Sequence, residues 1–202
     1  MRNIDRQRGD TLIEVMLAIT IAAVVVVMIM TLMNAGLSSL QNSIERSQVR
    51  SSMQGQISAL QYIRDDYMAT SGTGVTGDSW ESVTNPSPPP LGYLNSVGSS
   101  PISISDTTTI SDCESKVQTT AFYVDTSVSS PVKIEKYTGT ILGTLPIAQP
   151  GEHMWIESYP PGIVLDSIVP GAVDIVVHAC WEPLGGGALK HETTVVRLYD
   201  GS

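Results

Sequence analysis

The sequence is poor in basic residues, in aromatic residues and in known catalytic motifs, and each shortage argues against a class of function. Its 202 residues contain 11 Lys and Arg against 20 Asp and Glu, a formal net charge of −9. Because binding nucleic-acid phosphates requires clustered Lys and Arg, this balance argues against a nucleic acid held by a basic patch. Aromatic residues make up 5% of the chain, and neither a Gly-x-Ser-x-Gly elbow nor a His-Glu-x-x-His helix occurs. We therefore expect a protein that is not an enzyme and that uses no cofactor and no metal.

Cysteine is also scarce, because the chain has only Cys113 and Cys180. A single widely spaced pair is typical of a disulfide formed in an oxidising compartment, and two unrelated buried thiols are the alternative. A zinc site built from both cysteines with His178 and His191 is conceivable, but it lacks closely spaced ligand pairs. We predict the disulfide, which would leave no free thiol for zinc.

One long apolar run stands out, and it spans residues 15–33 without a charged residue. At about 1.5 Å per residue in a helix, this run is long enough to cross the hydrocarbon core of a membrane. Arg2, Arg6 and Arg8 precede it, whereas the first basic residue beyond it is Arg46. The positive-inside rule therefore places the N-terminus in the cytoplasm and the rest of the chain outside.

Two ordinary interpretations of this segment are incomplete. A secretory signal peptide usually has an apolar stretch of about 7–15 residues that ends at a small-residue cleavage site. The run here is longer, and Met33-Asn34-Ala35 matches such a site poorly. A plain single-pass anchor fits the length of the run. Neither interpretation explains Glu14, because an ionisable side chain at the edge of a span is costly and marks a function by default.

The string Gly9-Asp10-Thr11-Leu12-Ile13-Glu14-Val15-Met16, followed by the apolar run, resembles the N-terminal signal of type IV prepilins and type II secretion pseudopilins. The resemblance implies that a prepilin peptidase cuts between Gly9 and Asp10 and methylates the new amine of Asp10. It also implies that Glu14 serves filament assembly. Asp10 departs from the phenylalanine that is usual at the first mature position, and this departure favours a minor subunit.

The same resemblance implies partners and a location. The partners are the prepilin peptidase, a pilus or secretion assembly platform, the membrane, and other pilin subunits in a homo- or hetero-filament. Before assembly the chain is expected in the cytoplasmic membrane with its N-terminus inside, and after assembly in an extracellular pilus or a periplasmic pseudopilus. A pilus and a pseudopilus both stay open. A membrane-anchored, adhesin-like surface-binding protein is the alternative from another class.

Helical spacing continues beyond the apolar run, with a weak point predicted at Asn34-Ala35-Gly36. Leu37, Leu40 and Ile44 lie at this spacing, and an apolar stripe at 53–67 is interpreted as core. These patterns predict the following division: a leader at 1–9, a transmembrane and assembly helix at 10–36, the extracytoplasmic half of the helix at 37–69, a Gly/Ser/Pro-rich loop at 70–101, and a β-rich head at 102–202.

The C-terminal half is rich in strand-forming residues. Strands are predicted at 102–104, 116–124, 132–137, 141–142, 154–159, 173–181 and 192–199, with a hairpin loop at 183–187 and a short helix near Trp80. Trp155, Tyr159 and Trp181 are interpreted as core residues rather than as a sugar-stacking face. Together with the resemblance, these elements predict an α+β fold in which a long N-terminal α-helix packs on a C-terminal antiparallel β-sheet.

Overall fold

The computed structural model describes residues 10–72, 77–84, 95, 104, 109–126, 132–138, 153–165, 169–183 and 188–199. The chain forms two compact units, a first unit of residues 1–44 and a second unit of residues 45–202. The predicted leader at 1–9 and the predicted strand at 141–142 lie outside the described residues. The predicted boundaries after residues 36 and 101 stay predictions.

The first unit consists of the beginning of helix α1, which runs over Asp10–Ala69. Two of its threonines, Thr20 and Thr31, satisfy their hydroxyls within the helix. Thr20 Oγ1 donates to the carbonyl of Leu17 at 2.8 Å, and Thr31 Oγ1 donates to that of Met28 at 2.9 Å. The predicted weak point at Asn34-Ala35-Gly36 does not interrupt the helix, which continues through these residues. A single glycine costs only about 1 kcal/mol in a helix, which continuous backbone hydrogen bonding on both sides outweighs.

The second unit contains the end of α1 and a five-stranded sheet. Beyond α1, its elements are α2 (Gly77–Thr84), α3 (Ile110–Ser115), β1 (Phe122–Asp125), β2 (Lys133–Lys136), β3 (His153–Tyr159), β4 (Ala172–Trp181) and β5 (Lys190–Tyr199). The strand order is β2-β1-β3-β4-β5, and each neighbouring pair is antiparallel. The predicted α+β fold is therefore confirmed, with a long helix followed by an antiparallel sheet.

The end of α1 packs its apolar stripe against one face of this sheet. The stripe is at most 5% exposed and comprises Val49, Met53, Ile57, Leu60 and Ile63. The sheet contributes alternate residues of its strands, including Ile156 on β3 and Ile175 and Val177 on β4. Because side chains alternate between the two faces of a strand, this one-sided set follows from the period of two along β3 and β4. The core interpretation of the 53–67 stripe is confirmed.

The opposite face of the sheet is also covered, so β4 is buried along its whole length. A second apolar cluster lies there, and it includes Cys113 of α3, Trp155 of β3 and Cys180 of β4. Antiparallel sheets often leave one face in water. In this molecule α3 and the segments around it occupy that face, which creates an interior where polar groups need partners.

Most predicted elements are confirmed, and two differ. Strands β2 to β5 and helix α2 around Trp80 lie where the sequence places them. The predicted strand at 116–124 is wrong over most of its length, because only Phe122–Asp125 forms strand and helix α3 precedes it. Of the predicted strand at 102–104, only residue 104 is described, and it is not in a strand.

Helix α3 begins at a capping box that the sequence displays. Thr109 Oγ1 accepts a hydrogen bond from the Asp112 amide, and Asp112 Oδ2 accepts one from the Thr109 amide, both at 3.1 Å. Such reciprocal bonds satisfy amides that a helix start otherwise leaves without partners. The Thr-x-x-Asp pattern was therefore the available signal, and the strand-forming residues that follow obscured it.

Candidate functional site

The part of α1 in the first unit exposes an apolar surface along its length. Every described side chain from Leu12 to Ile44 is exposed, and the large apolar ones include Leu12 (63%), Met16 (63%) and Leu32 (72%). Soluble monomers rarely expose contiguous apolar patches larger than a few hundred Å². Among the described residues, α1 is the one helix that is long and apolar enough to cross a membrane, by length and composition. Its partners are therefore apolar, either lipid chains or other helices.

Glu14 interrupts this apolar surface near the start of α1. It is exposed, and it is the only ionisable residue between residues 11 and 44. Glu14 lies about one turn from the start of α1, where the positive end of the helix dipole still favours a carboxylate, although weakly. In an apolar setting that effect is insufficient, because an unpaired carboxylate out of water costs several kcal/mol or takes up a proton. A cation beside the carboxylate would offset this cost.

The structure describes the predicted cleavage site only in part. Gly9 lies outside the described residues. Asp10 is the first residue of α1, and its side chain is outside the description. The assignments of cleavage between Gly9 and Asp10, of methylation at Asp10 and of assembly through Glu14 therefore stay predictions.

The predicted disulfide is confirmed, since Cys113 and Cys180 are joined and no free cysteine remains. The bond links α3 to Cys180 near the end of β4, and both cysteines are at most 1% exposed. It covers Trp155 and the second face of the sheet. The alternative zinc site loses both of its thiols to this bond.

A buried polar cluster that the sequence reasoning missed lies on the same face. Trp155, Glu157, Tyr159 and His178 are fully buried. Trp155 Nε1 donates to Glu157 Oε1 at 3.0 Å, and the Tyr159 hydroxyl donates to Glu157 Oε2 at 2.5 Å. His178 stacks on Trp155 with ring centroids 5.1 Å apart, and its Nε2 lies 3.6 Å from Glu157 Oε2. Trp155, Glu157 and Tyr159 are every second residue of β3. This spacing in the sequence already indicates that the three side chains share one face of the sheet.

The pKa of Glu157 reflects these contacts. Burial by itself raises the pKa of this carboxyl, but the imidazole of His178 and the donors of Tyr159 and Trp155 together lower it below the usual glutamate value. Burial and the negative charge of Glu157 raise the pKa of Tyr159, which keeps its hydroxyl protonated as a donor. With all four side chains fully buried, the cluster has a structural role. The core interpretation of Trp155 and Tyr159 is confirmed, as is that of Trp181, which is 4% exposed.

The lowered pKa predicts that acid weakens the second unit through Glu157. A carboxyl whose pKa is lower in the folded state contributes stability above its unfolded pKa of about 4.3 and loses it as pH falls further. We expect the free energy of unfolding of the full chain in detergent to decrease as the pH is lowered below about 4. The free energy of unfolding of Glu157→Gln should decrease less steeply with falling pH than that of wild type, because the amide does not titrate. The two slopes should differ by up to about 1.4 kcal/mol per pH unit. Chemical denaturation at a series of pH values measures both slopes.

Glutamine is a matched control for this experiment, because it keeps the shape of glutamate, carries no charge, and its one carbonyl oxygen still accepts one of the two hydrogen bonds. The two proteins share their remaining carboxylates, so the difference between their slopes isolates Glu157. Parallel slopes for the two proteins at low pH would show that Glu157 does not stabilise the fold as an anion.

A charged clamp joins the end of α1 to the edge strand β5. Arg46 and Arg50 both bind Glu192, with nitrogen–oxygen distances of 2.9 and 2.8 Å. Burial raises the pKa of Glu192, but the two guanidinium groups lower it further than burial raises it. Exposed ion pairs contribute little singly, whereas two arginines on one carboxylate also set an orientation. The clamp holds α1 against β5 within the second unit.

Comparison with known proteins gives one match. Residues 4–30 match the family model described as the prokaryotic N-terminal methylation motif. No curated protein and no solved structure matches the chain. The matched segment includes Gly9, Asp10, Glu14 and most of the apolar run, so it coincides with the exposed helix described above.

Proposed function

We propose that this chain, whose first 30 residues carry the signal of type IV pilins and pseudopilins, is a structural subunit of a type IV pilus or a related filament. One observation carries the proposal. The methylation motif falls on the exposed first part of α1, where Glu14 is the only ionisable residue from Thr11 to Ile44. Proteins with this motif are filament subunits rather than enzymes.

Maturation begins in the membrane. The leader arginines hold the precursor with its N-terminus in the cytoplasm. A prepilin peptidase cuts after Gly9, which removes three arginines and one aspartate, a side-chain charge of +3 − 1 = +2. The cut also creates a free amine on Asp10. The segment thereby loses its basic anchor and gains one cation next to the apolar helix.

Assembly then follows from the apolar surface and from Glu14. Packing the helices of several subunits side by side brings their apolar side chains into contact with one another. Close packing and charge pairing then select one arrangement of the helices. A carboxylate inside such a bundle is costly unless it is paired, and the amine of a neighbouring subunit is a cation of the right sign. This pairing favours one vertical register, because a helix shifted by one turn would leave both charges unpaired.

The second unit is the part that the filament displays. Its disulfide is typical of an oxidising compartment, which supports export of residues beyond the membrane helix. The polar cluster and the disulfide stiffen the face opposite α1. Arg46 and Arg50 tie α1 to β5 just after the first unit ends. We assign the chain the role of a minor subunit, because Asp10 adds a charge where an apolar residue would favour packing of many identical copies.

Mass spectrometry of the mature protein tests the proposal. We expect a chain that begins at Asp10 when the protein is isolated from cells that contain a prepilin peptidase. A Gly9→Val variant is the matched control, because the larger side chain should block the cut and leave a chain that begins at Met1. A native chain that begins at Met1, or one that begins near Gly36, would instead identify a plain anchor or a secreted protein.

A further inference from the structure

The mature N-terminal segment carries more negative than positive charge. After the cut, residues 10–44 contain one amine and two carboxylates, those of Asp10 and Glu14, and no other ionisable group. The helix begins at Asp10, so Glu14 lies about one turn further along it. One amine balances one carboxylate, whichever of the two it meets. Each copy therefore brings a net charge of −1 to an otherwise apolar and exposed helix.

This surplus matters because the helix has no polar surroundings of its own. All described side chains from Leu12 to Ile44 are exposed, and those from Val15 to Met33 are uncharged and almost all apolar. When such helices pack with their starts at the same depth, their N-terminal charges meet where water is scarce and interactions between charges are strong. Two copies of this chain would bring together two amines and four carboxylates, which leaves two carboxylates unpaired.

We propose that the face of α1 that carries Glu14 docks on the helix of a different subunit, in preference to a second copy of this chain. The partner is an apolar helix with an uncharged first residue, so that its amine is not offset by a carboxylate of the same residue. That amine balances the surplus carboxylate of this chain. The inference rests on the proposed function, and it makes the chain a component of mixed filaments that does not polymerise alone.

Mixtures of charge variants test this pairing. Mature full-length chains are produced with a prepilin peptidase, labelled at the C-terminus with a donor or an acceptor dye, and placed in phosphatidylcholine vesicles at low salt. D10N/E14Q has an unbalanced amine and serves as the unlike partner. The first mixture combines wild type with D10N/E14Q, the second combines E14Q with D10N, and the third contains wild type alone. The first two mixtures contain the same four side chains at positions 10 and 14, distributed differently.

Energy transfer measures the association in each mixture. The N-terminal segments carry −1 and +1 in the first mixture, 0 and 0 in the second, and −1 and −1 in the third. We expect the first mixture to associate most tightly and the third most weakly. The expected difference is on the order of tenfold per step, the factor that corresponds to one pKa unit of charge interaction. This order supports the unlike partner.

Two results would overturn the inference. Wild type that associates with itself as tightly as with D10N/E14Q would identify a second copy as the partner. Equal association in all three mixtures would show that these charges do not select a partner. The proposed function fails separately, because a chain that still begins at Met1 is recognised by its mass before any mixture is made.

Discussion

Glu14→Ala should leave the chain in the membrane but lower its amount in filaments by about tenfold or more. The apolar run is unchanged by this substitution, so insertion and cleavage should persist. In the filament, however, the amine of a neighbour loses its carboxylate. Removing one partner of a buried ion pair typically costs 3–5 kcal/mol, because it leaves the other charge uncompensated. A tenfold loss corresponds to about 1.4 kcal/mol, so even a largely hydrated pair would give a measurable effect.

Quantitative immunoblotting of sheared filaments and of membranes measures this distribution. Thr20→Ala is the matched control, because the Thr20 hydroxyl bonds to the Leu17 carbonyl within its own helix. We expect that variant to enter filaments at close to the wild-type level. Glu14→Ala at wild-type abundance in filaments would falsify a role for Glu14 in assembly.

Replacing Cys113 and Cys180 together by alanine should destabilise the second unit by about 4 kcal/mol. The disulfide closes a sequence separation of 67 residues, and the chain-entropy model assigns this stabilisation to a loop of that size. Because the bond also holds α3 over Trp155, its loss should expose the second face of the sheet. A change of this size corresponds to a melting temperature lower by about 8–16 °C in a domain of 150–250 residues.

Thermal unfolding of the full chain in detergent, followed by near-ultraviolet circular dichroism, measures this loss through Trp155 and its neighbours. The wild-type protein with a reductant under native conditions is the control. We expect it to resist reduction, because both cysteines are at most 1% exposed. A double variant that melts within about 3 °C of wild type would show that packing alone holds α3 in place.

The elements that the sequence predicted correctly depend on short-range patterns. A helix is the structure expected for residues 15–33, because an uncharged apolar run in lipid must satisfy its backbone hydrogen bonds internally. Strands β3, β4 and β5 follow from dense strand-forming residues between turn signals. Glu14 was recognisable because it is the single charge beside that run. The cysteine pair was predicted because the number of possible pairings is one.

The errors arise where short-range signals compete. Residues 116–121 contain strand-forming Val117 and Thr119, yet the chain turns there, and the Ala121 amide donates to the Gln118 carbonyl at 3.0 Å. The capping box at Thr109 starts α3, and the disulfide at Cys113 holds it against β4. Intrinsic strand propensity differs by only about 1 kcal/mol between residues, so these tertiary contacts decide the local structure.

The sequence by itself determined the apolar N-terminal helix, its lone glutamate and the positions of most strands, because each depends on residues close together in the chain. The tertiary structure decided which polar residues share the interior. Glu157 and His178 lie on different strands, and they meet because the antiparallel register of β3 and β4 sets Trp155 opposite His178. A one-residue shift of that register would move every side chain to the other face. Long-range strand pairing therefore decides which ionisable groups meet in the core, whereas the local sequence decides the apolar N-terminal helix.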